Sequence, residues 1–295
     1  ATRDATLGVM RKTLPGPLFE FLATRGTEWD APITGDAIQM PPVPGPDVFD
    51  LRQVPVTATK AARTDHAMDE NPEPFTGSNN WAVSGRRTAS GVALLANDMH
   101  LGLSVPNTWY RASFVWADTR APGGTRRVTG VTLPGAPAIV VGSNGQVAWG
   151  FTNSYGDWTD LILIDKDPAD PDAYLTPDGP RKFGHHGESI RVKGRPDETL
   201  DVITTIWGPL LGNDNKGRAR ALRWTAHHEA AVDFDVMRLE TAADVQEALA
   251  LAAQVGAPPQ NFVVADSQGH IGWTIMGAIP RREGADTRLP ATSST

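Results

Sequence analysis

Gly77-Ser78-Asn79-Asn80-Trp81 is where the chain changes character. Upstream, Pro41-Pro42-Val43-Pro44-Gly45-Pro46 suits neither a helix nor a central strand. From Thr57 to Thr76 the chain is polar, mixed in charge and rich in small residues, running into Glu73-Pro74-Phe75-Thr76. That is the composition of a linker or a surface-draped segment. The compact apolar run Trp81-Ala82-Val83-Ser84 follows almost at once. An ordinary linker entering a strand fits this pattern. A chain cut between Gly77 and Ser78 fits it too, and the cut would make Ser78 an N-terminal residue. Such a serine carries its own base, because an unperturbed α-amine has a pKa of about 7.7–8 and is partly neutral near pH 7. It takes the hydroxyl proton directly or through one water, and no separate His–Asp relay is needed.

Outward from this point the chain is strand-rich. Val92 to Ala96, Trp109 to Trp116, Arg127 to Leu133 and Asp160 to Ile164 read as strands. Ala138 to Thr152 reads as a hairpin turning at Ser143-Asn144-Gly145, and Phe262 to Val264 pairs with Ile271 to Trp273 across Ser267-Gln268-Gly269. Residues 181–226 alternate in short pieces between Gly and Pro. Residues 4–24 read as helical, a first short helix capped by Asp4 or Thr6 and then a helical stripe of Leu18, Phe19, Phe21 and Leu22 after Pro15 and Pro17, and Trp29 to Ile33 as a short extended piece. Residues 231–254 carry the strongest helical pattern, with Met237, Leu239, Val245, Leu249 and Leu251 near one face.

Composition narrows the function. The 295 residues suit one large domain or two small ones, and 40% hydrophobic content supports a packed core. A net charge of −7 argues against a nucleic-acid surface. The absence of Cys excludes disulfides, thiolate zinc and a cysteine nucleophile. No apolar run approaches the roughly 18–20 residues of a membrane-spanning helix. The start at Ala1-Thr2-Arg3-Asp4 and the end at Ala291-Thr292-Ser293-Ser294-Thr295 read as an internal stretch of a longer polypeptide. No G-x-S-x-G, Walker A, G-x-G-x-x-G or H-E-x-x-H motif occurs. His185-His186 reads as solvated loop histidines or metal ligands. Asp165, Asp167, Asp170 and Asp172 read as a solvated loop or a loose cation site, since Pro168 and Pro171 break an EF-hand pattern.

Several motifs in fixed order give a resemblance. Ser78 to Trp81 and Leu95-Ala96-Asn97-Asp98-Met99-His100-Leu101 resemble the start of the β chain in the penicillin acylase (penicillin amidase) family of N-terminal-nucleophile hydrolases. Leu133-Pro134-Gly135, Gly142 to Gly145, Ala148-Trp149-Gly150 and Gly156-Asp157-Trp158-Thr159-Asp160 follow in order. So do Pro259-Gln260-Asn261-Phe262, Ala265-Asp266, Gly269, Ile271-Gly272 and Pro280-Arg281-Arg282. Phe21 to Pro32 resembles the end region of the family's α chain. The resemblance implies an α+β fold, the four-layer αββα sandwich, incomplete in this stretch. It divides the chain into an α-chain end (1–33), a spacer (34–77) and the first part of the β chain (78–295).

It also implies a site and its roles. Ser78 is the nucleophile and, with Gly77, the self-cleavage point, giving an α/β heterodimer from one precursor. Asn261 and the backbone N–H of Asn153 serve the oxyanion; without the resemblance Asn261 reads equally as a strand-end Asn bonding its own backbone. His100 orients the nucleophile or its amine, or is a structural His. Arg282 holds Asn261 or faces the substrate, or is a surface Arg. Trp109, Phe151, Trp158 and Leu133 to Pro137 are candidate walls for the acyl group, or plain core. Asp157 and Asp160 with the Thr159 carbonyl resemble a structural calcium loop. The implied activity is hydrolysis of a linear amide in a small N-acyl substrate of β-lactam, homoserine-lactone or lipopeptide type. The implied location is the bacterial periplasm or outside the cell. A non-catalytic, calcium-stabilised β-rich binding module, or an inactive truncated homologue, is the alternative.

Overall fold

A computed structural model describes residues 1–32, 35–53, 77–102, 104–282 and 288–295. The polar segment from Thr57 to Thr76, Ile33 and Leu103 lie outside the described residues. In chain order the elements are α1 (Thr2–Thr13), α2 (Gly16–Leu22), β1 (Gly77–Val83), β2 (Leu94–His100), β3 (Tyr110–Ala117), β4 (Thr125–Thr132), β5 (Val141–Ser143), β6 (Val147–Asn153) and β7 (Thr159–Leu163). There follow β8 (Ala173–Thr176), β9 (Gly179–Lys182), β10 (Gly184–Ile190), β11 (Glu198–Thr205), β12 (Gly208–Asn213) and β13 (Ala219–Trp224). The chain ends with α3 (Val245–Ala252), β14 (Gln260–Asp266), β15 (Ile271–Met276) and β16 (Ala291–Thr292).

The described residues fall into two compact units, each assembled from separate stretches of chain. One takes its residues from 69–158 and 225–281, the other from 1–68, 159–224 and 282–295.

The first unit is built on an antiparallel sheet in the order β15-β14-β6-β5-β4-β3. Strand alternation sends Trp149, Phe262 and Val264 to one face, where they pack with Leu239, Val245, Ala248 and Leu251 around α3. The other face receives the two-stranded sheet β1-β2. Gly150 permits this approach: a Cβ there would lie 2.9 Å from the Asn97 Cβ and 3.1 Å from Asn80 Oδ1. Asn97 fastens the layers, its Nδ2 donating to the carbonyls of Asn79 (3.1 Å) and Phe151 (2.8 Å). An α layer, a six-stranded sheet and a two-stranded sheet therefore stack in that order.

The second unit carries the sheet β10-β11-β12-β13-β7-β16 and the hairpin β8-β9. Ile162, Ile164, Tyr174 and Ala221 form its core. In the same unit α1 and α2 pack through Leu7, Phe19 and Ala23 with Leu289 against them.

Three local expectations change. The helical pattern over 231–254 is broken into a 3-10 segment (Asp235–Thr241) and α3. Asn144 Nδ2 donates to the carbonyls of Leu239, Glu240 and Ala242, which a continuous helix would use internally. Asp244 then caps α3, accepting the Glu247 N–H at 2.8 Å. Residues 4–24 hold two helices, parted as read where Leu14 is extended ahead of Pro15, but Asp4 and Thr6 lie inside α1 and do not cap it. Trp29 lies in a turn closed by the Asp30 N–H on the Thr27 carbonyl, not in an extended piece.

Candidate functional site

Antiparallel pairing of β1 with β2 sets Gly77 opposite His100 and Ser78 opposite Met99. Pairing of β6 with β14 sets Asn153 opposite Gln260 and Asn261 opposite Thr152. Where the two-stranded layer meets the end of β6, Ser78 Oγ accepts a hydrogen bond from the Asn153 N–H at 3.2 Å. Asn261 Nδ2 donates to the Asn153 carbonyl at 3.2 Å. Its Oδ1 is occupied by the indole N–H of Trp273 at 3.3 Å, so the NH₂ end of the amide faces Asn153. A serine hydroxyl and two N–H donors from different strands thus stand together. A fixed hydroxyl beside fixed donors is the constellation acyl transfer requires.

His100 stands beside Gly77: a Cβ at Gly77 would lie 3.2 Å from its Nδ1. Its Nε2 is 3.1 Å from Asp98 Oδ2 and 3.3 Å from Asn79 Nδ2. A protonated Nε2 donates to Asp98, and a bare Nε2 accepts from Asn79, so the tautomer decides which neighbour holds the ring.

Ser78, Gly77 and Asn153 border a cavity of about 490 Å³. Its walls are largely apolar, with Met99, Leu101, Trp109, Leu133, Val140, Phe151, Val236 and Met276 among them. Trp109 and Phe151 thus line this cavity. Trp158 does not; its ring closes over Gly156, where a Cβ would lie 2.0 Å from it.

Arg282 makes a different contact from those expected. Its Nε donates to both carboxylate oxygens of Asp160, at 3.0 and 3.3 Å, and both side chains are largely buried. Opposite charge decides this pairing, while the Asn261 carbonyl oxygen is taken by Trp273. The same bond bears on calcium. Asp160, an expected ligand, faces a guanidinium. Among the described residues no three His, Asp or Glu side chains gather to hold a metal. The Asp160 carboxylate is thus engaged by Arg282.

Asp98, Asn97 and Trp273 contact the candidate residues or their strands, and sequence reading does not single them out. Asn97 and Asp98 lay inside a recognised motif, and that was their only signal. Trp273 had none, because its contact to Asn261 arises from the β14-β15 register.

The penicillin amidase family profile matches residues 13–295. The chain belongs to the penicillin amidase family. Among relatives of this family member, the acyl-homoserine lactone acylase QuiP of Pseudomonas aeruginosa is 31% identical over 231 residues, covering 72% of this chain and 26% of that protein. Penicillin G acylase of Escherichia coli is 29% identical over 219 residues, covering 73% of this chain and 25% of that protein. The chain thus spans about a quarter of the length of these curated relatives. The structure of thermostable penicillin G acylase from Alcaligenes faecalis superposes with a TM-score of 0.64 at 24% identity, covering 73% of this chain and 38% of that one. That likeness is one of fold, and the strand-rich α+β architecture agrees with it.

Proposed function

We propose that the chain is the part of an acylase that carries the nucleophile, and that it hydrolyses a linear amide in a small N-acyl substrate. The observation that supports this best is the Ser78 hydroxyl within hydrogen-bond distance of the Asn153 N–H, beside Asn261, at an apolar cavity. In the first step Ser78 Oγ attacks the Gly77 carbonyl. A C–O ester bond forms, the C–N bond breaks, and the nitrogen leaves as the Ser78 amine. Water cleaves the ester and frees the hydroxyl. In the second step the free amine takes the hydroxyl proton and Oγ attacks the substrate carbonyl. Charge developing on that oxygen is held by the Asn153 N–H and Asn261 Nδ2. The proton passes to the leaving amine, and water then hydrolyses the acyl-enzyme. His100 orients Ser78 through both steps.

The relatives' names suggest two substrate types, acyl-homoserine lactones and penicillins. The wholly apolar part of the cavity wall suits an alkyl or aryl acyl group of either. The proposal extends to an α/β heterodimer and to export from the cytoplasm, both on family likeness. The proposal also carries, on family likeness alone, a structural calcium ion on Asp157, Asp160 and the Thr159 carbonyl, which takes no part in these steps; calcium titration of the full-length product tests it.

Mass spectrometry of the full-length gene product is expected to show two fragments divided between Gly77 and Ser78. Ser78→Ala leaves one undivided chain. An amide panel of graded acyl length, scored by released amine, is expected to show turnover only for the divided protein. Turnover by an undivided chain would overturn the mechanism, and an undivided, inactive wild type would overturn the function.

A further inference from the structure

The 3-10 segment Asp235–Thr241 contributes Val236 to the cavity wall. One turn later in the same segment it buries a carboxyl group, Glu240, only 8% exposed. The side chain reaches back toward the cavity: Oε1 accepts the Ile139 N–H at 3.1 Å. Ile139 leads directly into Val140 and Val141, both lining the cavity. The same stretch is gripped a second time, by the Trp149 indole N–H, which donates to the carbonyls of Ile139 (3.2 Å) and Val140 (3.0 Å). The Ile139 amide has no strand partner. A buried N–H without an acceptor is costly, so its acceptor matters.

Glu240 is itself fixed. Its carbonyl accepts from Asn144 Nδ2 at 3.3 Å and from Arg126 Nη1 at 3.5 Å. Arg126 is anchored in turn, its Nε donating to Asp118 at 2.7 Å. Burial pushes the Glu240 carboxyl above the usual carboxylate range, with the Ile139 N–H acting in the opposite direction. A side chain serving only as filler there would better be apolar.

We propose that Glu240 is a positioning residue: it sets the Ile139–Val141 wall of the cavity beside Ser78, and through that wall the acyl length the cavity accepts. The proposal rests on the acylase reading for its ligand and on geometry alone for the clamp.

The test compares wild type, Glu240→Ala and Glu240→Gln in the full-length product, since Gln keeps an Oε1 acceptor. Amide exchange at Ile139, read by NMR, is expected to rise about tenfold or more in Glu240→Ala and to return near wild type in Glu240→Gln. Binding of decanoate is expected to weaken about fivefold or more in Glu240→Ala, binding of acetate to change less, and Gln to restore decanoate affinity. Unchanged Ile139 exchange in Glu240→Ala would overturn the clamp. So would a Gln variant indistinguishable from Ala. An equal loss for decanoate and acetate would overturn the role in acyl length. Failure to hydrolyse any amide, with exchange and decanoate binding behaving as expected, counts against the acylase reading and in favour of the clamp.

Discussion

Asn261 is held at both ends of its amide, by Trp273 on Oδ1 and by the Asn153 carbonyl on Nδ2. That double hold matters because a donor in a pocket helps only when it is already aimed at the place where charge will develop. Asn261→Ala removes the donor and leaves the Trp273 N–H, on a half-exposed ring, to water. Its kcat is expected to fall roughly 10²–10³-fold, the usual size for one such donor. A kcat within threefold of wild type in a steady-state assay would count against an oxyanion role. Ser78, Asn153 and Asn261 were legible only through motifs. Ser78 and Asn153 are 75 residues apart, Asn153 and Asn261 108, and no local periodicity links them. Asp98 and Trp273 stayed hidden because their roles come from which strand face and register they occupy, which composition does not encode. Arg282 shows the reverse: its motif is legible, but the donation of its Nε to Asp160 is not.

At the scale of elements, the site depends on how closely β1-β2 lies on β6. Gly150 is the contact point, and a branched side chain there meets Asn97 and Asn80 at once. Gly150→Val is expected to lift β1 away from Asn153 and to slow the appearance of the two fragments. A displacement near 1 Å costs on the order of 10²-fold, so a mass-spectrometric time course should show at least a tenfold delay. An unchanged time course would mean that the layer spacing does not set the reaction. The turn between β3 and β4 gives a pH test. Asp118 is pulled down from 3.8 to about 2, first by the Arg120 backbone N–H and then by the Arg126 guanidinium. A lowered carboxylate pKa adds stability above the ordinary value and loses it as pH falls through the folded one. The urea midpoint of wild type is therefore expected to exceed that of Asp118→Asn above pH 4 and to converge on it as pH approaches 2. A gap that persists at pH 2 would assign the effect to packing instead. Strands and hairpins were legible here because alternation and Asn144-Gly145 are local signals. The helix over 231–254 was not read correctly, because Asn144 reaches its carbonyls from 95 residues away or more.

At the scale of the molecule, the chain groups into two units of interleaved segments. Each unit is closed by segments far apart in sequence, and a left-to-right reading registers such closure only as unrelated apolar patches. The α1-α2 pair shows what this means for a cut chain. Phe19 is fully buried with Leu7, Ala23 and Leu289. Arg288 donates to the Ala23 carbonyl and faces Glu20 at 3.8 Å. Cleavage after Gly77 would leave all of these contacts in place, none of them covalent. Apolar burial dominates them, since the Lys12–Asp214 pair stretches to 4.0 Å and a partly exposed pair contributes about 0–1 kcal/mol. The two pieces of the wild type are therefore expected to co-elute on size exclusion at micromolar concentration, in 1 M salt as well as in dilute buffer. Phe19→Ala removes about 3–5 kcal/mol of core contact, equal to two to three decades in dissociation constant. Its pieces are expected to elute separately at the same concentration, while Lys12→Ala still co-elutes. Wild-type pieces that part in high salt would show that charge, not the Phe19 cluster, joins them.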